Sequence, residues 1–214
     1  MRCLTRALLA LTLIAAIPAP DAHAQRGSAV PVALTEADRA DLRRLEAYVQ
    51  SLDGVVADFQ QINDEGGTAA GTLLMQRPGK LRFSYAPPAQ QFVVSDGTTI
   101  TYVDPLARET TAGPLSATPL AVLVAPVVKF SGDVTVVGFE RAASVIRVTL
   151  RKTAEPDQGS LTLTFMDRPL ALAHWTVIDA QKKATRVAIS DVRLGQKIDP
   201  ASFTFENPRQ RFND

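Results

Sequence analysis

Apolar positions recur along this chain with two different spacings, and the change falls at Asp53-Gly54. Upstream, Leu42, Leu45, Val49 and Leu52 repeat at intervals of three and four, which puts them on one face of a helix. Thr35 followed by Asp38 supplies the paired contacts of a capping box, so the pattern predicts a helix from about Glu36 to Leu52. Downstream the apolar residues alternate with polar ones, the period of a strand with one dry face. Segments 55–59, 71–76, 81–85, 91–95 and 99–104 read this way, and so do 134–139, 145–151, 160–165, 172–178 and 185–191. Asp64-Glu65-Gly66-Gly67, Arg77-Pro78-Gly79, Pro87-Pro88 and Asp96-Gly97 punctuate the first half as turns. Ten or so short strands at hairpin spacing, with no helical crossover between them, predict a single antiparallel sheet that coils on itself. One interruption, 118–125, is very apolar, with Thr118 as cap, Pro119 at the first helical position and Pro126 as stop, and predicts a short second helix. The chain is thus expected to be mainly β with few helices, an α+β arrangement. A sheet of this kind needs its middle filled by large side chains, by helices or by a ligand. With aromatics at 6% of the chain, large fillers are few, and an apolar concavity covered by the two helices is expected.

The start of the chain follows a third pattern. Arg2 and Arg6 precede an apolar run at 7–17 too short to span a bilayer, and Ala22-His23-Ala24 is a small-x-small cleavage site. Residues 1–24 are read as a secretory signal peptide and 25–214 as a single domain, soluble beyond the inner membrane. Cys3 is the only cysteine and leaves with the leader, so no disulfide is expected despite an oxidising destination. Removing Arg2 and Arg6 from the 23 basic residues and Asp21 from the 22 acidic ones leaves 21 of each, a balance that points to no nucleic-acid partner.

Candidate chemistry is sparse. His174 is the only histidine past the leader, it lies in a strand beside Trp175, and it reads as a structural or surface residue. No G-x-S-x-G, H-E-x-x-H or Walker pattern occurs, and the Gly-rich stretch at 65–71 lacks the Lys-Ser/Thr of a phosphate loop. No catalytic residue, metal ligand or cofactor site is expected, and the chain does not read as an enzyme. Arg77 stands out instead. It shares strand parity with Leu73, Met75, Leu81 and Phe83, which puts a guanidinium on the apolar side of a hairpin end. The pattern leaves two readings open, a side chain snorkelling to solvent and one that bonds inside.

Five stretches together resemble the LolA family of periplasmic outer-membrane lipoprotein carriers. They are F-x-Q at Phe59 and Gln61, G-T-L-L-M-Q-R-P-G-K-L-R-F-S-Y at Gly71 to Tyr85, and F-V-V-S-D-G-T-T-I-T-Y-V-D-P at Phe92 to Pro105. The T-P-L-A-V-L helix and D-P-A-S-F-T-F-E-N-P near the end complete the set. The resemblance implies an unclosed, strongly curled antiparallel β half-barrel with a helical lid over a hydrophobic cavity. It implies a monomeric periplasmic carrier that accepts triacylated lipoproteins from an inner-membrane ABC transporter and delivers them to an outer-membrane receptor or to the outer membrane itself. Arg77 matches the arginine that closes the lid. Phe59, Leu73, Met75, Leu81, Phe83, Tyr85, Phe92, Val94, Ile100, Tyr102, Leu120 and Leu123 are the expected lipid-binding walls. A lipid-binding sensor or sorting protein of the same fold is the alternative, and fold alone does not choose the cargo.

Overall fold

The computed structural model describes residues 28–205. The expected leader at 1–24 lies outside them, as do the start of the expected domain at 25–27 and the end of the last motif at 206–208.

Helix α1, Glu36–Ser51, begins as the sequence predicts: the Thr35 side chain accepts from the Asp38 amide, and the Asp38 carboxylate accepts from the Thr35 amide at 2.8 Å. Gly54, at φ +58, turns the chain away after it. Eleven strands follow: β1 Val55–Asn63, β2 Thr68–Gln76, β3 Lys80–Tyr85, β4 Phe92–Asp96, β5 Thr99–Asp104, β6 Glu109–Pro114, β7 Val134–Arg141, β8 Val145–Lys152, β9 Ser160–Asp167, β10 Leu170–Ile178 and β11 Ala184–Arg193. Strand β6 escaped the sequence pattern because E-T-T-A-G-P has no large apolar residue to alternate.

All strands join one antiparallel sheet in the order β6-β5-β4-β3-β2-β1-β11-β10-β9-β8-β7. Two meanders meet where β1 pairs with β11, with Phe59 opposite Ile189. The sheet is open: β6 and β7 are its two edges and do not pair. The outer side of β7 is partly covered by the segment before α1, where the Val32 amide donates to the Val136 carbonyl at 2.9 Å, a common way of blunting an edge.

The expected antiparallel, mainly β sheet with few helices is what forms; the expected strong curl is not. Bending does occur towards one face, since Phe83 of β3 and Trp175 of β10 bring their rings to 6.3 Å with three strands between them. Helix α1 limits it by occupying that face. Leu42, Leu45 and Val49 are buried there, Leu45 completely, and Tyr48 meets Phe165 edge-on at 6.0 Å. A helix with its side chains needs a layer of about 10 Å, and a sheet wrapped around it stays wide.

The second helix is shorter than predicted. A 3-10 turn at Leu115–Ala117 comes first, and α2 covers only Ala121–Val124. Thr118 does not cap α2; its hydroxyl donates back to the Leu115 carbonyl at 2.9 Å, which closes the 3-10 turn instead.

Candidate functional site

The β2–β3 turn carries Arg77, and its shape depends on two glycines. Gly79 adopts φ +72, and a Cβ there would lie 2.6 Å from the backbone of Gly97 in the β4–β5 turn, so the P-G and S-D-G turns pack directly together. Asp96 fixes the second turn by accepting from the amides of Thr98 and Thr99 at 2.8 and 2.9 Å, and these bonds hold its carboxyl below the usual range.

From this platform Arg77 reaches three elements. One terminal nitrogen donates to the Ala125 carbonyl just past α2 at 3.1 Å, and the other donates to the Val49 carbonyl in the last turn of α1. Its own amide donates to the Asp53 carboxylate at 2.9 Å, and the neighbouring Gly79 amide donates to the Val124 carbonyl at 2.7 Å. The Val49 carbonyl already accepts from the Leu52 amide at 3.1 Å, so Arg77 is its second donor; the C-terminus of a helix carries the negative end of its dipole, and α1 has no basic residue of its own in its last turn. Arg77 supplies that charge from another element. Burial lowers the pKa of its guanidinium from the ordinary value, Asp53 opposing, and its Nε is buried with no hydrogen-bond partner among the described residues.

Two further α1 side chains, one turn apart, fasten the segment that follows α2. Gln50 accepts from the Val128 amide at 2.7 Å and donates to the Pro126 carbonyl at 3.3 Å. Glu46 accepts from the Phe130 amide at 2.7 Å. The sequence reading passed over both residues. Their i, i+4 spacing on a helix is a signal that they share a face, but their backbone partners lie some 80 residues away and leave no local trace.

The middle of α1 is held by charge pairs. Arg44 donates to Asp167 at 2.5 Å and to Asp41 at 3.1 Å, and Arg141 of β7 bonds Asp41. The Asp167 side chain is 7% exposed, and the Arg44 hydrogen bond holds its carboxyl below the usual range, with burial opposing.

The expected wall residues divide. Phe59, Leu73, Met75, Leu81, Phe83 and Leu123 are buried in one continuous apolar cluster on the α1 side of the sheet, with Tyr85, Ile100 and Leu120 packed against it. The motif aromatics meet there: Phe59 lies edge-on to both Phe83 and Tyr85 at 5.2 Å, and the Tyr85 hydroxyl donates to Gln61 at 2.8 Å. Gly71 opposite Phe59 makes the space, since a Cβ there would come within 2.9 Å of the ring and 2.0 Å of the Ser84 carbonyl oxygen. Tyr102 pairs with Val93 and faces the same side half-buried.

Phe92 and Val94 are corrections. Their partners Ser84 and Arg82 place them on the opposite face, where Phe92 meets Phe205 at 5.4 Å and the Arg82 guanidinium sits 4.5 Å from its ring. The inward residues of β4 are Val93 and Ser95. F-V-V is apolar at three consecutive positions, so its own pattern carries no register, and pairing with β3 decides it. His174 also faces outward, level with Thr164 and Ala188; burial and then Arg186 and Arg147 lower its pKa.

Open space lies elsewhere than under the expected walls. A cavity of ≈ 630 Å³ is bounded by α2, segment 126–134 and the ends of β8 and β9, and a shallower one of ≈ 410 Å³ lies between α1 and β7. The two share Ser131, Gly132 and Val134, so the segment fastened by Glu46 and Gln50 is the partition between them.

Against known proteins, residues 50–206 match the model of a family described as outer membrane lipoprotein carrier protein LolA. The outer-membrane lipoprotein carrier protein of Pseudomonas syringae pv. syringae is 30% identical over 183 residues, covering 81% of this chain and 87% of that protein. The carrier of Chromohalobacter salexigens is 29% identical over 192 residues, 85% of this chain and 90% of its own. A LolA superfamily protein from Nitrosomonas europaea, known from its crystal structure, is a distant likeness with a TM-score of 0.44 and 10% identity, over 77% of this chain and 97% of its own.

Proposed function

The chain belongs to the LolA family of outer-membrane lipoprotein carrier proteins, a family of carriers and not of enzymes, and we propose that it shuttles triacylated lipoproteins across the periplasm. In this reading it takes them from an inner-membrane ABC transporter and yields them to an outer-membrane receptor or to the membrane itself. The observation that carries the mechanism is Arg77, whose one guanidinium bonds the C-terminal carbonyls of both helices that cover the apolar face.

Energetics explain why a carrier needs such a closure. Three chains of about 15 methylenes expose on the order of 35 kcal/mol of apolar surface at about 0.8 kcal/mol per methylene. Recovering all of that as net affinity would exceed the practical ceiling of about 20 kcal/mol, and cargo would never leave. In the closed state the wall residues pack against α1 and one another, so cargo must displace α1 and break the Arg77 bonds to reach them. Each charge-assisted bond contributes about 1.5–3 kcal/mol, and re-forming them on release lowers the net affinity towards one compatible with transfer. Phe59, Leu73, Met75, Leu81, Phe83, Tyr85, Ile100, Tyr102, Leu120 and Leu123 would then line the opened cavity. Their contacts are non-directional and suit chains of differing length.

Arg77→Leu tests this. The variant is expected to load a triacylated lipopeptide as well as the unaltered protein, or better, and to release it to acceptor vesicles at least about tenfold more slowly, since one lost bond of this kind is already worth that factor. Unchanged release would remove Arg77 from the mechanism.

A further inference from the structure

The segment between α2 and β7 belongs to no strand, yet burial alternates along it as in one. Val128 and Phe130 are each 3% exposed and lie in the apolar cluster that holds Leu45 and Val49, whereas Val127 and Lys129 are exposed. A buried amide needs an acceptor, and a strand would find it on a neighbouring strand. Here α1 supplies it from side chains: Gln50 accepts from the Val128 amide and Glu46 from the Phe130 amide, both at 2.7 Å. Four residues of helix rise about 6 Å and two residues of strand-like chain span about 6.6 Å, so acceptors one turn apart match alternate amides. Gln50 also donates to the Pro126 carbonyl at 3.3 Å, and the Lys129 ammonium lies 3.8 Å from the Glu46 carboxylate.

The seam with the sheet is built differently. Three bonds cross it from the β2–β3 turn: Arg77 to the Val49 carbonyl, Arg77 to the Ala125 carbonyl, and the Gly79 amide to the Val124 carbonyl. Every acceptor is a backbone carbonyl at the end of a helix, which water satisfies once the seam opens. Parting the segment from α1 instead would strip two buried amides of their acceptors, the costlier loss.

We propose that Glu46 and Gln50 are positioning residues that splice segment 124–130 to α1, so that both covers of the apolar face open and shut as one body and part from the sheet at the β2–β3 turn. That the motion admits cargo rests on the carrier reading; the splice rests on its own bonds. One consequence is leverage. The Val49 and Ala125 bonds of Arg77 break together, and neither cover lifts while the other stays latched.

Cys3 is the only cysteine, so a Cys3→Ser background takes spin labels at chosen sites. Ala47→Cys on α1, Val127→Cys on the segment and Thr98→Cys in the β4–β5 turn are all at exposed positions, and pairs of them are read by electron paramagnetic resonance. When a triacylated lipopeptide loads, the 47–127 distance is expected to stay unchanged while 47–98 and 127–98 both shift to longer values. Arg77→Leu is expected to produce the same shift without cargo. In a folded Glu46→Ala, Gln50→Ala double variant, 47–127 is expected to lengthen on loading, and the Val128 and Phe130 amides to exchange at least about tenfold faster, as the loss of an acceptor for a buried amide allows. Arg77→Leu leaves that exchange unchanged, and Glu46→Gln, whose side-chain oxygen still accepts from Phe130, keeps the splice. A 47–127 distance that lengthens with the splice intact, or that stays fixed on loading in the double variant, would overturn the proposal. So would labels that never move from Thr98, either on loading or in Arg77→Leu. If lipopeptide fails to load while Arg77→Leu still moves both labels together, only the carrier reading falls; if it loads and the covers separate, only the one-body lid falls.

Discussion

Two stretches of α1 are fastened by opposite chemistry. Ahead of the last turn, from Asp41 to the middle of the helix at Arg44, Arg44 and Arg141 meet the carboxylates of Asp41 and Asp167, so each of these charges has a counter-charge. At the C-terminal end the Arg77 side chain donates to two neutral carbonyls, with Asp53 favouring its charge from nearby, and its Nε is buried without a hydrogen-bond partner among the described residues. Separating an ion pair in a half-buried site strands two charges, whereas withdrawing a guanidinium from helix-end carbonyls strands one and exposes groups that water readily bonds. The first stretch is built as an anchor and the second as a latch. The contrast predicts that α1 pivots about the Asp41–Arg44 turn, with its C-terminal end free to lift.

The largest effect removes what both ends share. Leu45 is fully buried midway along α1, and Leu45→Ala is expected to lower stability by about 2–5 kcal/mol in a denaturant titration, with loosening at both ends seen as faster hydrogen exchange. A change confined to one end would mean that the two fastenings do not depend on a common core. Arg77→Lys should come next. An ammonium on a shorter stem lacks the two separate nitrogens with which Arg77 meets the Val49 and Ala125 carbonyls, so one bond, about 1.5–3 kcal/mol of closure, is expected to be lost, and release of lipopeptide falls between the rates of the unaltered protein and Arg77→Leu. Release as fast as that of the unaltered protein would show that charge alone, without the fork, closes the lid.

The anchor makes a pH-dependent contribution of smaller size. The Asp167 carboxyl is held below its ordinary value, so its stabilisation is complete above the unfolded value near 3.8 and disappears as pH falls through the lower folded value. Thermal midpoints measured from pH 5 down to pH 2 are expected to fall more steeply for the unaltered protein than for Arg44→Leu. Parallel curves would sever Arg44 from Asp167. The smallest effect is at the cap: Thr35→Ala is expected to cost about 1 kcal/mol and to leave lipopeptide release unchanged, because it loosens the pivot end only.

How much of this was legible in the chain differs by element. Helix α1 and its cap were readable because periodicity and capping act within a few residues. So were ten of the strands and the turn that presents Arg77. Thr118 misled because a hydroxyl followed by proline fits either a helix cap or a 3-10 closure, and the local sequence does not separate them. Phe92 and Val94 misled because a run of three apolar residues has no period, and β6 was silent because it has too few apolar residues to show one.

What the sequence determined by itself was therefore the first helix, ten of the eleven strands and one apolar face, since these follow from spacings of two and of three to four residues. It also placed a lone cation among apolar neighbours at Arg77. Which carbonyls that cation meets, which face β4 turns inward, and where space remains open were decided only by tertiary structure. Those outcomes depend on register between strands and on a helix that lies across them, and partners tens of residues apart leave no period in the chain.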